Sequence, residues 1–134
     1  TIQYGSFVKS PFYGRGVVQS VNYKDRTCTV KFIDYPYPKE DISFDKLINI
    51  VDKDALSVQV SAEKIREAKK KYPSHYQVGD IVLHAQYGIG MVLSVEDNQS
   101  LTIQFKYGKE TCPIDSNSLI TREDYLDYKT SKEK

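Results

Sequence analysis

Gly5-Ser-Phe-Val-Lys-Ser-Pro-Phe-Tyr-Gly-Arg-Gly-Val-Val-Gln-Ser-Val21 and Gly79-Asp-Ile-Val-Leu-His-Ala-Gln-Tyr-Gly-Ile-Gly-Met-Val-Leu-Ser-Val95 are one pattern written twice, 74 positions apart. The identities are Gly5/Gly79, Val8/Val82, Tyr13/Tyr87, Gly14/Gly88, Gly16/Gly90, Val18/Val92, Ser20/Ser94 and Val21/Val95. With one residue dropped in the next turn, Thr29-Val30-Lys31-Phe32 falls on Thr102-Ile103-Gln104-Phe105. With one more dropped, Ile42 falls on Ile114, and Leu47-Ile48 on Leu119-Ile120. Anchors that keep their order while spacing slips only in polar turns mark a duplicated structural unit.

Each copy reads as short strands. Phe7-Val8 and Ile81-Val82 open a first strand, and Tyr-Gly-x-Gly is a corner whose glycines allow positive φ or close backbone approach. Val17 to Val21 and Met91 to Val95 form a second strand, followed by the polar turns Asn22–Arg26 and Glu96–Ser100. Cys28 to Ile33 and Leu101 to Phe105 alternate apolar and polar, as half-buried strands do. A second loop, Asp34–Asp41 or Lys106–Cys112, precedes a short fourth strand that leads into Leu47-Ile48-Asn49-Ile50 or Leu119-Ile120. Four or five short, bent strands around a glycine corner predict a small closed barrel, which removes exposed sheet edges.

Between the copies, Ser61-Ala-Glu-Lys-Ile-Arg-Glu-Ala-Lys-Lys-Lys-Tyr72 predicts one helix, capped by Ser61 and ended by Pro73, with the apolar stripe Ala62, Ile65, Ala68 and Tyr72. Leu56-Ser-Val-Gln-Val60 alternates and reads as an added fifth strand for the first copy. The expected organisation is a first barrel over 1–60, a helical linker over 61–76, a second barrel over 77–122 and a charged tail over 123–134.

The chain has 134 residues and a formal net charge of +1, which suits two small domains. Domains this small sit near the limit for a self-sufficient core, and the 11 tyrosines supply large side chains for it. No apolar run approaches membrane-spanning length, and no signal-peptide pattern is visible, so an intracellular location, cytoplasmic or nuclear, is expected. Cys28 and Cys112 fall in different copies without metal-ligand neighbours, and read as free thiols of a reducing compartment.

Phe32-Ile33-Asp34-Tyr35, followed by acidic residues and Leu47, is similar to the Tudor-family pattern of a strand ending in an acidic–aromatic pair. The second copy, Val78 to Gly90, resembles the Tudor-like C-terminal domain of superfamily-1 repair helicases. It also resembles the RNA-polymerase-interacting domain of transcription-repair coupling factors and CarD-type regulators. The resemblance implies an all-β fold of two SH3/Tudor-like barrels in tandem, joined by a short α-helix. It also implies a protein partner drawn from RNA polymerase, chromatin or other nucleic-acid machinery. Barrels of this kind bind methylated lysine or arginine, other protein surfaces or nucleic acid, and the fold does not choose among them. The chain has no Trp, and the turn after Tyr35 is Pro36-Tyr37-Pro38, which departs from the usual pattern.

In a barrel of this type the loop joining strands one and two approaches the loop joining strands three and four. In the first copy that gathers Phe12, Tyr13, Asp34, Tyr35 and Tyr37. Aromatic faces attract an ammonium through their quadrupole, and a carboxylate adds Coulomb attraction, so these residues are candidates for a methylated peptide, while Phe12, Tyr13, Tyr23, Tyr35 and Tyr37 suit another protein surface. The second copy offers Tyr87 and Tyr107, with Lys106 and Lys109 flanking to repel a cation. A cage is therefore expected in the first copy. The competing reading is that Tyr13 and Tyr87 close the barrel mouth by packing.

For DNA or RNA the signal is weak. Residues 1–51 hold seven basic against five acidic residues, residues 52–76 six against four, and residues 77–122 three against five. Phosphate binding draws on concentrated positive charge, and the dense basic run is Lys69-Lys70-Lys71, with Lys64 and Arg66 on the same helix. No catalytic residues, metal or cofactor are expected, because His75 and His84 lack partners at triad or metal spacing, and Tyr-Gly-x-Gly lacks a strand–loop–helix setting. The leading expectation is a non-enzymatic protein-interaction module. The alternatives are a methylated-peptide reader and a nucleic-acid binder using the first barrel and the helix.

Overall fold

The computed structural model describes residues 2–51, 59–106 and 108–132. The chain divides into two compact units, Thr1–Leu56 and Ser57–Lys134. The first contains β1 (Phe7–Ser10), β2 (Gly14–Asn22), β3 (Thr27–Phe32), β4 (Lys39–Ser43), a 3-10 turn (Phe44–Lys46) and β5 (Ile48–Asn49). The second contains α1 (Ala62–Lys71), β6 (Ile81–His84), β7 (Gly88–Glu96), β8 (Ser100–Phe105), β9 (Gly108–Pro113), β10 (Leu119–Thr121) and α2 (Arg122–Lys132).

Each unit holds one five-stranded antiparallel sheet, β4-β3-β2-β1-β5 and β9-β8-β7-β6-β10, so the strand order is the same. The registers superpose the repeat. Val8 faces Gly16 and Val82 faces Gly90, while Gly16 faces Phe32 and Gly90 faces Phe105. Both long strands carry an irregularity at the same place, between Val18 and Ser20 and between Val92 and Ser94. Such a bulge sharpens strand bend and twist.

Two details of the repeat lie outside the sequence alignment. The repeat begins earlier than Gly5/Gly79. Gln3 N donates to Ser6 Oγ at 3.0 Å, as Gln77 N does to Asp80 Oδ2 at 2.9 Å, which pairs Ile2 with Tyr76. Ile42 also corresponds to Cys112, not to Ile114. Ile42 faces Cys28 and Cys112 faces Leu101, and Phe44 and Ile114 then share a position, donating to the carbonyls of Arg26 and Gln99. The loop expected over Lys106–Cys112 is mostly strand, because β9 begins at Gly108 and pairs with β8 along its whole length.

Alternation places one core inside each unit. Ile2, Val8, Val18, Cys28, Val30, Phe32 and Leu47 form the first; Tyr76, Val82, Val92, Leu101, Ile103, Phe105, Cys112 and Leu119 form the second. The small residues Gly16 and Gly90 make room for the phenylalanines. A Cβ on Gly16 would lie 2.9 Å from Phe32 Cδ1, and one on Gly90 would lie 2.7 Å from Phe105 Cδ1.

Helix α1 forms as the cap signal predicts, with Ser61 Oγ accepting from Lys64 N at 3.2 Å. It belongs to the second unit, packing on β10 and α2 with Ile65 and Ala68 buried, so the segment expected as a linker is part of that unit. The charged tail is helical through Lys132 and buries Tyr125. Ser74 Oγ donates to Asp124 Oδ2 at 2.8 Å and accepts from Thr121 N at 3.1 Å, which fixes the start of α2. Of the strand expected over Leu56–Val60, residues 56–58 lie outside the described residues, and Gln59 and Val60 are not in a strand.

Candidate functional site

The corner after the first strand is built by the same device in both units, from different residues. Ser10 Oγ accepts from the amides of Phe12 at 3.1 Å and Tyr13 at 3.2 Å. His84 Nδ1 accepts from Gln86 N at 3.0 Å and Tyr87 N at 3.2 Å. Gly14 and Gly88 follow at φ 82° and 80°, where a side chain would be strained. An accepting Nδ1 carries no proton, so the imidazole is neutral with its proton on Nε2. Burial lowers the His84 pKa, and the charge of Glu110 opposes that shift.

In the first unit this corner projects Tyr13 onto the core. Its ring centre lies 5.1 Å from that of Phe32, and 5.4 Å from that of Tyr35 in an edge-on arrangement. The Tyr13–Tyr35 contact therefore joins the loop after β1 to the loop after β3. Lys31 Nζ supports the second loop by donating to the carbonyls of Phe32 and Tyr35. Of the expected mouth residues, Phe12 is 75% and Tyr37 is 78% exposed, Asp34 is exposed, and Tyr13 and Tyr35 are half-buried. Asp34 lies beside the corner, its Oδ2 3.9 Å from where a Cβ on Gly14 would stand.

The cation of this aromatic pair comes from the chain itself. Lys39 Nζ sits 4.8 Å from the Tyr35 ring centre and 5.3 Å from that of Tyr13. It reaches them because Lys39 faces Val30, and residues directly opposite on paired strands point to the same side of a sheet. Nothing in the sequence pattern singled out Lys39. Its position opposite a core residue at the first place of β4 was the available signal.

The second unit places Tyr87 5.2 Å from Phe105 and 4.6 Å from His84, with His84 and Phe105 5.8 Å apart edge-on. Phe105 and His84 were absent from the candidate residues, although they stand where Phe32 and Ser10 stand. Tyr107 lies outside the described residues. Glu110 faces Ile103 as Lys39 faces Val30, so an acid takes the place of the first unit's lysine. Tyr87 remains 38% exposed. Lys106, on the adjoining turn, and Lys109, in β9, are exposed.

The basic helix does not present one free row of charge. Lys69 is half-buried, donates to the carbonyl of Ser116 at 2.5 Å, and lies 5.9 Å from the Tyr76 ring centre. Burial lowers its pKa, and Asp115 partly offsets that. Lys71 donates to Ser131 Oγ at 2.6 Å. Lys64, Arg66 and Lys70 are exposed.

Cys28 and Cys112 are free and buried, and burial pushes both thiols up in pKa. Among the described residues no three His, Cys, Asp or Glu gather as a metal site, and no helix is long and apolar enough to cross a membrane. The chain matches no family model and none of the curated proteins with which it was compared.

Proposed function

We propose that the chain is a tandem, non-enzymatic protein-interaction module built from two SH3/Tudor-like barrels. The identical strand order supports the barrel reading. In each unit the strand after the 3-10 turn or its counterpart pairs back onto the first strand, which is the connection a small closed barrel uses.

The observation that carries the binding function is the pair of three-quarters exposed aromatics, Phe12 and Tyr37. They sit on two loops that the Tyr13–Tyr35 contact holds together, over a rigid aromatic floor. Aromatic anchors on a fixed frame are what protein-binding surfaces use, because they offer area at low entropic cost. RNA polymerase, chromatin or other nucleic-acid machinery is the partner class that the sequence resemblance suggests, inside the cell. The test is affinity capture by the wild-type chain and by the Phe12→Ala/Tyr37→Ala double variant, with circular dichroism to establish folding. Loss of one specific protein from the folded variant supports the reading. Equal capture by both chains refutes the mouth as the binding surface.

A second reading, recognition of a methylated ammonium, moves from the first unit to the second. Lys39 already fills the Tyr13–Tyr35 pair, whereas His84, Tyr87 and Phe105 have Glu110 at the matching place. Besides the first unit, weak contact with DNA or RNA would draw on Lys64, Arg66 and Lys70 of the helix, since Lys69 is held by the Ser116 carbonyl and Lys71 donates to Ser131 Oγ.

A further inference from the structure

β2 begins directly after Tyr13 and ends directly before Tyr23, so the first unit has a second aromatic end remote from the mouth. There a cleft of about 320 Å³ is lined by Ile2, Tyr23, Arg26, Phe44 and Asn49. Its floor is Ile2, a member of the core. Its wall is Phe44, edge-on to Tyr23 at 6.2 Å and covered by the Arg26 guanidinium at 5.5 Å from the ring centre. Arg26 pairs with Asp45 at 3.8 Å, both largely exposed, so its side chain is not locked in place by that pair. Tyr23 is 61% exposed.

The duplication shows what such a place accepts. Tyr76 of the second unit stands where Ile2 stands in the first. It is buried in the second core, its hydroxyl donates to the Leu119 carbonyl at 3.1 Å, and its phenol is pushed up to about 12, chiefly by burial. The ammonium of Lys69 then lies over the ring. Leu119 matches Leu47, the residue before β5, in the same core position. The second unit thus closes this end with its own tyrosine and a cation over it. The first unit has the shorter isoleucine, an open cleft, two aromatic walls and a cation on the rim.

We propose that the cleft of the first unit is a receptor for an aromatic side chain, tyrosine or phenylalanine, supplied by a peptide segment of a partner protein. The incoming ring takes the counterpart of the place that Tyr76 fills in the second unit, packing on Ile2 and against the Tyr23–Phe44 pair, with Arg26 on the rim of the cleft. The guanidinium attracts the ring face as Lys69 attracts that of Tyr76. This site is independent of Phe12 and Tyr37.

Titration of the full chain with N-acetyltyrosine amide, followed by amide NMR shifts, tests the assignment. The expected result is saturable, millimolar shifts confined to residues around Tyr23, Arg26 and Phe44, with N-acetylleucine amide giving none. Ile2→Tyr, which copies the second unit, fills the cleft from within, abolishes those shifts and raises Tm. Tyr23→Ala, at a site 61% exposed, weakens the shifts at least fivefold while circular dichroism shows the fold retained. Absence of saturable shifts in the wild type overturns the proposal, as do equal shifts with the leucine probe or shifts that survive both substitutions.

Discussion

His84 occupies in the second unit the place that Ser10 occupies in the first, and its Nδ1 accepts the same two corner amides that Ser10 Oγ accepts. Serine cannot titrate in this role, and histidine can. Protonation of Nδ1 would replace two accepted hydrogen bonds with a repelled pair of donors.

The pH dependence follows from that difference. The folded His84 pKa lies below its ordinary value of 6.5, with burial as the main cause. Between the two values the unfolded chain binds a proton that the folded chain does not, so stability rises with pH there. The second unit is therefore fully stable above about pH 6.5 and loses stability as pH falls from there through the folded value. Glu110, exposed on β9, moderates the loss by favouring the charged ring. Urea unfolding at a series of pH values should show the slope in the wild type. His84→Ser, which copies the first unit, should flatten it. A slope unchanged by the substitution would assign it to other groups.

Much of the scaffold is legible in the sequence, because Tyr-Gly-x-Gly and the Val and Phe anchors are identical or nearly so between copies. What escaped notice is where the two copies meet one structural need with unlike chemistry. Ser10 and His84 share no side-chain class, and neither do Ile2 and Tyr76, so an identity-based alignment passes over both pairs. Matching residue types align Ile42 with Ile114, but the ladder sets them two positions apart. Lys39 looked like a loop lysine. Only the register, which turns it toward Tyr13 and Tyr35, makes it the first unit's built-in cation. Packing and binding are not alternatives at Tyr13, whose ring packs on Phe32 and also faces the Lys39 ammonium.

Removing that cation should open the pair. Lys39→Gln deletes an ammonium over two rings, an interaction worth about 0.5–1 kcal/mol at an accessible site. The expected outcome is a small fall in Tm together with new, saturable NMR shifts at Tyr13 and Tyr35 when tetramethylammonium is added. The wild-type first unit should show no such shifts. Equal response in the two chains would mean that Lys39 does not compete for the site.

The two glycines of each corner should respond differently to substitution. Gly90 faces Phe105 and Ile103 so closely that a Cβ would lie 2.7 Å from each side chain, and Gly16 would meet the Lys31 carbonyl at 2.7 Å. Gly90→Ala and Gly16→Ala should each cost about 1–3 kcal/mol through overpacking. At Gly88 the space is open and only the positive φ of 80° matters. Gly88→Asn should therefore be milder than Gly88→Val, since asparagine tolerates left-handed backbone. Chemical denaturation of the four variants gives the ranking. A mild Gly90→Ala would show that Phe105 has room to move aside.

Lys69 and Lys70 are neighbours in one basic run, and they should separate under mutation. Lys69 donates to a backbone carbonyl and covers the Tyr76 ring, whereas Lys70 is exposed. Lys69→Glu removes a charged donor, worth about 1.5–3 kcal/mol as a hydrogen bond, and sets a carboxylate beside Asp115 and the Ser116 carbonyl. Lys70→Glu should leave stability within about 0.5 kcal/mol of wild type, as surface substitutions do. Thermal melts of both variants check this. The same pair bears on nucleic-acid binding, where loss of affinity in Lys69→Glu alone would report a disturbed fold. Loss in Lys70→Glu, with an unchanged melt and a shallower salt dependence, would report a lost phosphate contact.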